Sequence, residues 1–395
     1  MQVKSDQSME HLGLNFKNMP KNLVCFSHLR WDFVFQRPQH LLTRLATAMK
    51  VFYIEEPVII ASDKFSYYSL QKRSDNITLI VPQLPAGLSP TETVKMLEQL
   101  LDDFMTEHQI TDYAFWYYTP MALEFSRKYK PKLTVFDCMD ELSAFKFAPE
   151  SLKTLEQELM QKADVVFTGG HSLYEAKKYQ HNNIHAFPSS IDKAHFAKTR
   201  VLKTTTKNQD AAYRPKLGFY GVIDERFDID LIKGIADAHP NWDLMLVGPI
   251  VKIDPQILPV KNNIHYMGPK SYDELPNLMA GWDIALIPFL LNESTQFISP
   301  TKTPEYLAAG LPVISTAIRD VINPYGKLGL VSIGNTPLDF MMLVEKELHR
   351  TDREAWQQKV DLFLSDISWD ITYAQMMNVM SAALSPVPVF NNTLV

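Results

Sequence analysis

Short apolar runs, rich in β-branched and aromatic residues, alternate with longer amphipathic stretches over most of this chain. Such runs, bounded by polar or Gly/Pro positions, mark strands buried on both faces. Their regular alternation with helical stretches marks parallel sheets covered by helices. In the first half the pattern predicts strands over Asn22–Ser27, Val51–Ile54, Ile77–Val81, Tyr113–Tyr117, Thr134–Asp137, Val165–Gly169 and Ile184–Phe187. It predicts helices over Gln36–Met49, Glu92–His108, Met121–Lys128, Glu150–Lys162 and Ser172–Tyr179. Pro82–Leu88, with two prolines and a glycine, reads as a surface loop. The polar run Arg200–Asp210 then interrupts the alternation and reads as a linker. A second series follows, with strands at Lys216–Tyr220, Trp242–Val247, Ile264–Met267, Ile284–Pro288, Pro312–Ser315 and Leu330–Ile333. Its helices are Phe227–His239, Ser271–Met279, Thr303–Gly310, Leu338–Arg350 and Asp352–Ser365, and a last helix spans Trp369–Leu384.

A chain of 395 residues exceeds one ordinary core, so the two series predict two α/β domains. Two such domains face one another across a cleft, a preferred place for ligands. Hydrophobic residues make up 46% and charged residues 21%, the balance of a soluble globular protein. A net charge of -6 argues against a nucleic-acid partner. Cys25 and Cys138 both lie in apolar strand-like runs and read as buried, reduced thiols without disulfide or zinc spacing. Residues 1–20 carry no apolar signal region, and no apolar run approaches the roughly 20 residues of a membrane span. These features predict a cytoplasmic protein and leave open peripheral attachment at the inner face of the cytoplasmic membrane.

The most informative segment is Ser299-Pro-Thr-Lys-Thr-Pro-Glu-Tyr-Leu-Ala-Ala-Gly-Leu-Pro-Val-Ile-Ser315. It sets Lys302 and Glu305 on the opening turn of a helix that stops at Gly310, directly before a buried strand. Free N–H groups and a positive partial charge at a helix start, beside a parallel strand, suit phosphate and ribose. A capped helix with Lys302 and Glu305 in solvent would show the same letters. The segment resembles the donor site of GT-B glycosyltransferases of the family 4 type, and the resemblance runs from about Asn22 to Leu384. It implies that Glu305 holds the ribose hydroxyls, that Ser299, Lys302 and Thr303 line the donor site, and that the helix start faces the diphosphate. The family carries a second Glu eight positions earlier, where this chain has Phe297. The resemblance also implies domains at 1–200 (acceptor side, with 369–395 returning to it) and 211–368 (nucleotide-sugar side).

Other strand ends carry further candidates. In Gly218-Phe-Tyr-Gly-Val-Ile-Asp-Glu-Arg-Phe-Asp228, Gly221 permits close approach of a ligand, and Arg226 can fork onto a diphosphate or pair with Asp224, Glu225 or Asp228. Gly248, in Val247-Gly-Pro-Ile250, borders the base by resemblance, although a plain turn explains it too. The run Phe26–Leu41 follows the first strand with His28, Arg30, Trp31 and Arg37, which reads as an acceptor wall. His28 is a catalytic candidate, while Arg37 with Asp32 and a core Trp31 make the plain structural alternative. Asp140 follows the strand Thr134–Asp137 at the place where many family members have a His-Asp pair, and is a candidate for acceptor contact or deprotonation. Gly170, in Thr168-Gly-Gly-His-Ser172, lies on the same rim. Asp228-Ile-Asp230 falls on a helix, so metal ligation is not expected.

The resemblance implies transfer of a sugar from a nucleoside-diphosphate sugar, UDP- or GDP-linked, to an acceptor hydroxyl, with retention and without a metal or other cofactor. Asp140, Arg226, Lys302 and His28 are the catalytic candidates. The implied acceptor is a glycan or lipid-linked glycan of cell-envelope or exopolysaccharide synthesis. The alternatives are a catalytically inactive GT-B protein that binds nucleotide sugar or glycan, and a GT-B nucleotide-sugar 2-epimerase.

Overall fold

The computed structural model describes residues 18–205 and 213–385. Their strands form two sheets. The first runs in the order β3-β5-β2-β1-β6-β7-β8-β9, with β4 on the outer side of β5. Its strands are β1 (Asn22–Ser27), β2 (Lys50–Glu55), β3 (Val58–Ile60), β4 (Tyr67–Ser74), β5 (Ile77–Pro85), β6 (Tyr113–Tyr117), β7 (Leu133–Cys138), β8 (Val165–Thr168) and β9 (Ile184–Ala186). All pairings are parallel except β4 with β5. The second sheet is wholly parallel, in the order β12-β11-β10-β13-β14-β15. It comprises β10 (Lys216–Tyr220), β11 (Asp243–Val247), β12 (Ile264–Tyr266), β13 (Ile284–Ile287), β14 (Val313–Ser315) and β15 (Ser332–Ile333).

In each sheet the first strand in sequence lies centrally, with connections leaving to both sides. β1 sits between β2 and β6, and β10 sits between β11 and β13. Chain order reverses there, so the loops after β1 and β10 diverge from their neighbours and leave a crevice at the strand C-termini. Burial on both faces explains the continuous apolar sequence of these strands: Leu23, Val24 and Cys25 are wholly buried, as are Leu217 and Phe219.

The two domains meet through aromatic contacts. Tyr272 of the second stacks on His195 with ring centres 4.2 Å apart and lies 4.6 Å from Phe35 of the first. The helix Trp369–Ala383 packs on the first domain, where Trp369 stacks on His40 at 4.6 Å and Met376, Met377 and Met380 join the core around Leu41 and Trp116. No helix among the described residues is long and apolar enough to cross a membrane.

Two sequence expectations are corrected here. The segment Arg200–Asp210 is not simply a linker, because the helix Lys193–Thr205 runs into it. Arg200 bonds the carbonyl of Ala308 at 2.7 Å and Asp361 at 2.7 and 3.0 Å, and these tertiary partners hold a polar run helical. Residues 206–210 of the proposed linker, the N-terminal residues 1–17 and the terminal stretch 386–395 lie outside the described residues. Pro82–Leu88 is not all loop, since β5 continues to Pro85. Along one edge β5 pairs β2 through Ile80 and β3 from Gln83, so Pro82 falls in the gap between two partners, where its missing N–H costs no ladder bond on that side. β3 and β4 escape the pattern because their residues are largely exposed.

Candidate active site

The geometry gathers at the ends of β10, β7 and β1 and the start of the helix Lys302–Ala308. Lys302 begins that helix, and its aliphatic stem lies directly over Gly221, at the end of β10. A Cβ at Gly221 would fall on the Lys302 stem, and its φ of +136° disfavours any side chain. Gly248, with φ +144°, packs on the Gly221 backbone in the same way. Lys302 Nζ lies 5.7 Å from the ring centres of both Phe219 and Phe289, and no carboxylate stands within 4.0 Å of it among the described residues. Burial pushes this ammonium below the usual lysine range, Arg226 pushes the same way, and Glu305 opposes both.

Glu305, one turn on, is buried and accepts a hydrogen bond from the Tyr220 hydroxyl. Burial pushes its carboxyl above the usual range, while Tyr220 and Lys302 pull it back. Tyr220 is itself held, its amide donating to the Tyr306 hydroxyl at 2.9 Å. The Thr303 hydroxyl is buried and has no hydrogen-bond partner among the described residues.

Arg226 forks onto Asp224, with Nη2 to Oδ2 at 2.6 Å and Nε to Oδ1 at 3.0 Å. Its guanidinium also lies 5.2 Å from the ring centre of Phe145, a residue of the first domain. Asp140, half-buried at the end of β7, is pushed up by burial and pulled down by Arg226, Arg37 and Lys302. The structure therefore brings Asp140, Arg226 and Lys302 into one electrostatic neighbourhood spanning both domains. His28, after β1, belongs to the same rim. Burial lowers its pKa to about 4, the nearby Lys252 of the second domain acts in the same sense, and its Nδ1 has no partner among the described residues. At neutral pH this is an uncharged ring with a free acceptor nitrogen. Gly170 packs against Ser299 and Asp320, and the Ser172 amide and hydroxyl both donate to Asp320, the amide at 2.9 Å. Phe297 packs against the first domain's core cluster around Phe26 and Leu123, a contact that a Glu would not make.

Three predicted acceptor-side residues are placed otherwise. Arg37 is 3% exposed, and it is turned inward, with bonds to Asp137 at 2.8 and 3.0 Å and to the Phe187 carbonyl at 2.6 Å, so it does not line an acceptor wall. The cause is Asp137, a wholly buried carboxylate at a strand end that needs a countercharge. Arg37 does not pair with Asp32, which instead binds Arg73. Arg30 turns toward the end of β2, pairing with Glu55 at 2.9 Å and with the Glu56 and Pro57 carbonyls. Trp31 lies edge-on to Tyr53 at 5.1 Å and is partly buried against the core.

Sequence reasoning missed Tyr220, Phe145, Lys252 and Asp320. Asp320 follows β14, so the rule that strand-end loops face the crevice could have found it. Phe145 and Lys252 are united only by the fold.

Gly221→Ala is expected to cost about 1–3 kcal/mol, because alanine must adopt a positive φ while displacing Lys302. Denaturant unfolding checks this, and an unchanged midpoint would refute the close approach.

Residues 214–346 match the family described as glycosyl transferases group 1. The chain is 24% identical over 283 residues to a provisionally assigned teichuronic acid biosynthesis glycosyltransferase, TuaH, of Bacillus subtilis (strain 168), covering 67% of this chain and 70% of that one. The whole fold superposes on sucrose-phosphate synthase from Thermosynechococcus elongatus with a TM-score of 0.66 at 12% identity, covering 92% and 98% of the two chains. It also superposes on Anabaena HepE, solved with UDP and glucose, with a TM-score of 0.63 at 13% identity, covering 92% and 100%. The protein is a glycosyltransferase of GT-B fold. Its second domain is a glycosyl transferases group 1 domain.

Proposed function

We propose that the protein is a family 4 type enzyme that moves a sugar from a nucleoside-diphosphate sugar to an acceptor hydroxyl, with retention and without a metal, in the synthesis of a cell-envelope polysaccharide. One observation carries the donor assignment. Lys302 is a half-buried cation with no carboxylate in ion-pair distance among the described residues, lying over a side-chain-free Gly221 at the central strand's end, with Glu305 one turn away. A diphosphate supplies the missing anion, and its ribose supplies hydroxyls to Glu305. Lys302 and Arg226 then stabilise the charge that grows on the departing diphosphate. Asp140 and the neutral His28 stand on the opposite wall, as acceptors for the incoming hydroxyl's proton or as sugar contacts. The envelope role rests on TuaH, whose name places it in teichuronic acid biosynthesis.

A thermal-shift panel of UDP, GDP, ADP, CMP and dTDP on wild type and Glu305→Ala tests the reading. Binding to the folded state alone must raise Tm. One nucleotide should raise it, and the shift should vanish in Glu305→Ala; no shift with any nucleotide sinks the donor assignment.

The pH profile follows from the two shifted groups. The anion must raise the depressed Lys302 pKa, so above the free-state value binding takes up a proton and weakens with rising pH. This decline should begin in the mildly alkaline range, well below the ordinary lysine value of about 10.4. On the acid side, the raised Glu305 carboxyl loses its charge at a pH above the ordinary value of about 4.3, and ribose binding falls as pH drops through it. Calorimetric titrations between about pH 5 and pH 10 check both limbs, and a flat profile would contradict them.

A second reading has two observations behind it. Asp224 already occupies Arg226, and Phe297 removes a carboxylate from the sugar side. Both favour a protein that binds nucleotide sugar without turnover. Nucleotide binding with no transfer to any acceptor would establish it, and conversion of donor without acceptor would point to a 2-epimerase.

A further inference from the structure

We propose that a groove in the first domain, outside the donor site, is the acceptor subsite and takes an uncharged or amino-sugar glycan chain rather than an anionic one; this rests on the transferase reading above. The groove lies between the helices Pro90–Glu107 and Leu152–Lys162 and has a volume of about 1100 Å³. That reaches the top of the range for small-ligand sites and leaves room for several sugar rings.

The groove ends at the cleft. Ser27 lines its mouth, and the next residue, His28, feels Lys252 of the second domain. Glu56 also lines the mouth; burial pushes its carboxyl up, and Arg30 and then Lys252 of the second domain pull it back. A chain lying in the groove would therefore present its terminal residue toward His28 and Lys252, at the edge of the cleft.

The lining decides the class of occupant. Five carboxylates and two cations line the groove. Three of the carboxylates are paired: Glu55 with Arg30 at 2.9 Å, Glu98 with Lys128 at 3.0 Å and Glu158 with Arg127 at 2.7 Å. Glu56 and Glu124 have no ion pair within 4.0 Å among the described residues, against one lining cation in the same position, Lys95, so the groove keeps a small negative excess. Phosphate or uronate groups along a chain would be repelled. A hydrocarbon chain would strip water from carboxylates and from threonines such as Thr91 and Thr154 without replacing the hydrogen bonds. Sugar hydroxyls donate to carboxylates, and their C–H faces suit the apolar floor of Ile54, Leu97 and Phe125.

The test uses the full chain with cellotetraose, a β-1,4-glucosamine tetramer, tetragalacturonate and farnesyl phosphate, by calorimetry and saturation-transfer NMR. Thr154 is an exposed helix position on the groove wall, so Thr154→Trp plugs the groove without a core change. The neutral or amino tetramer should bind wild type and weaken about tenfold or more in Thr154→Trp, with the nucleotide-induced Tm shift retained. Tetragalacturonate should bind about tenfold more weakly than the neutral tetramer and gain in Glu124→Lys. The proposal is overturned by equal binding of tetragalacturonate, by farnesyl phosphate alone binding in a Thr154→Trp-sensitive way, by sugar binding that ignores the plug, or by no sugar binding at all. A nucleotide shift without sugar binding would overturn the groove alone. Plug-sensitive sugar binding without any nucleotide shift would overturn the transferase reading and leave the groove standing as a glycan site.

Discussion

Lys302→Met is expected to lower kcat/KM by about 10²- to 10³-fold, roughly 2.7–4 kcal/mol of transition-state stabilisation, with no loss of Tm. Among the described residues the ammonium has no carboxylate within 4.0 Å, and it lies 5.7 Å from the ring centres of Phe219 and Phe289. In the free protein it contributes little to folding, since burial already works against its charge. Methionine keeps most of the stem over Gly221 and removes only the charge. In the donor assignment proposed above, the cation both holds the bound diphosphate and meets the further charge that grows as it leaves, so the deficit is shared between KM and kcat. Steady-state kinetics beside a thermal melt check this. A rate within about tenfold of wild type would remove Lys302 from the mechanism. A rate loss accompanied by an equal loss of folded protein would make it a structural residue.

Arg37→Met is expected to destabilise the protein by about 3–5 kcal/mol, a far larger effect on folding than any change at the cleft. Burial pushes the Asp137 carboxyl up and Arg37 pulls it back, and two bonds at 2.8 and 3.0 Å to an always-charged guanidinium fit the ionised pair. Methionine leaves a wholly buried carboxylate with no countercharge and frees the Phe187 carbonyl. In a domain of this size the loss corresponds to a fall in Tm of roughly 6–20 °C. Arg37→Met/Asp137→Leu should recover most of it, because an apolar pair of similar volume does not carry the desolvation cost. A single variant that melts like wild type, or a double variant no better than the single, would contradict this account.

Much of the architecture was legible because buried parallel strands must be apolar on both faces. Asn22–Ser27, Tyr113–Tyr117 and Lys216–Tyr220 are found at the residues the pattern predicts. Where a strand is exposed, as in β3 and β4, the pattern has no reason to appear. The helix Lys193–Thr205 was hidden because its support comes from distant groups, the Ala308 carbonyl and Asp361, rather than from its own periodicity. For the site, the segment around Lys302 was legible because a helix start, a cation, a carboxylate and a following strand are adjacent in the chain. The role of Arg37 was not, since Asp137, its partner, stands 100 residues away.

The sequence by itself determined the two α/β series, the strand ends that carry the chemistry and the Lys302–Glu305 helix, because each depends on residues within one or two turns of one another. Only the tertiary structure decided which charges meet. It joined Arg226 to Asp224 and Phe145, set Tyr220 on Glu305, buried Arg37 against Asp137 and, among the described residues, left Lys302 without an ion pair. Those pairings are set by the register of strands far apart in sequence and by how the two domains face each other, and no local pattern encodes either.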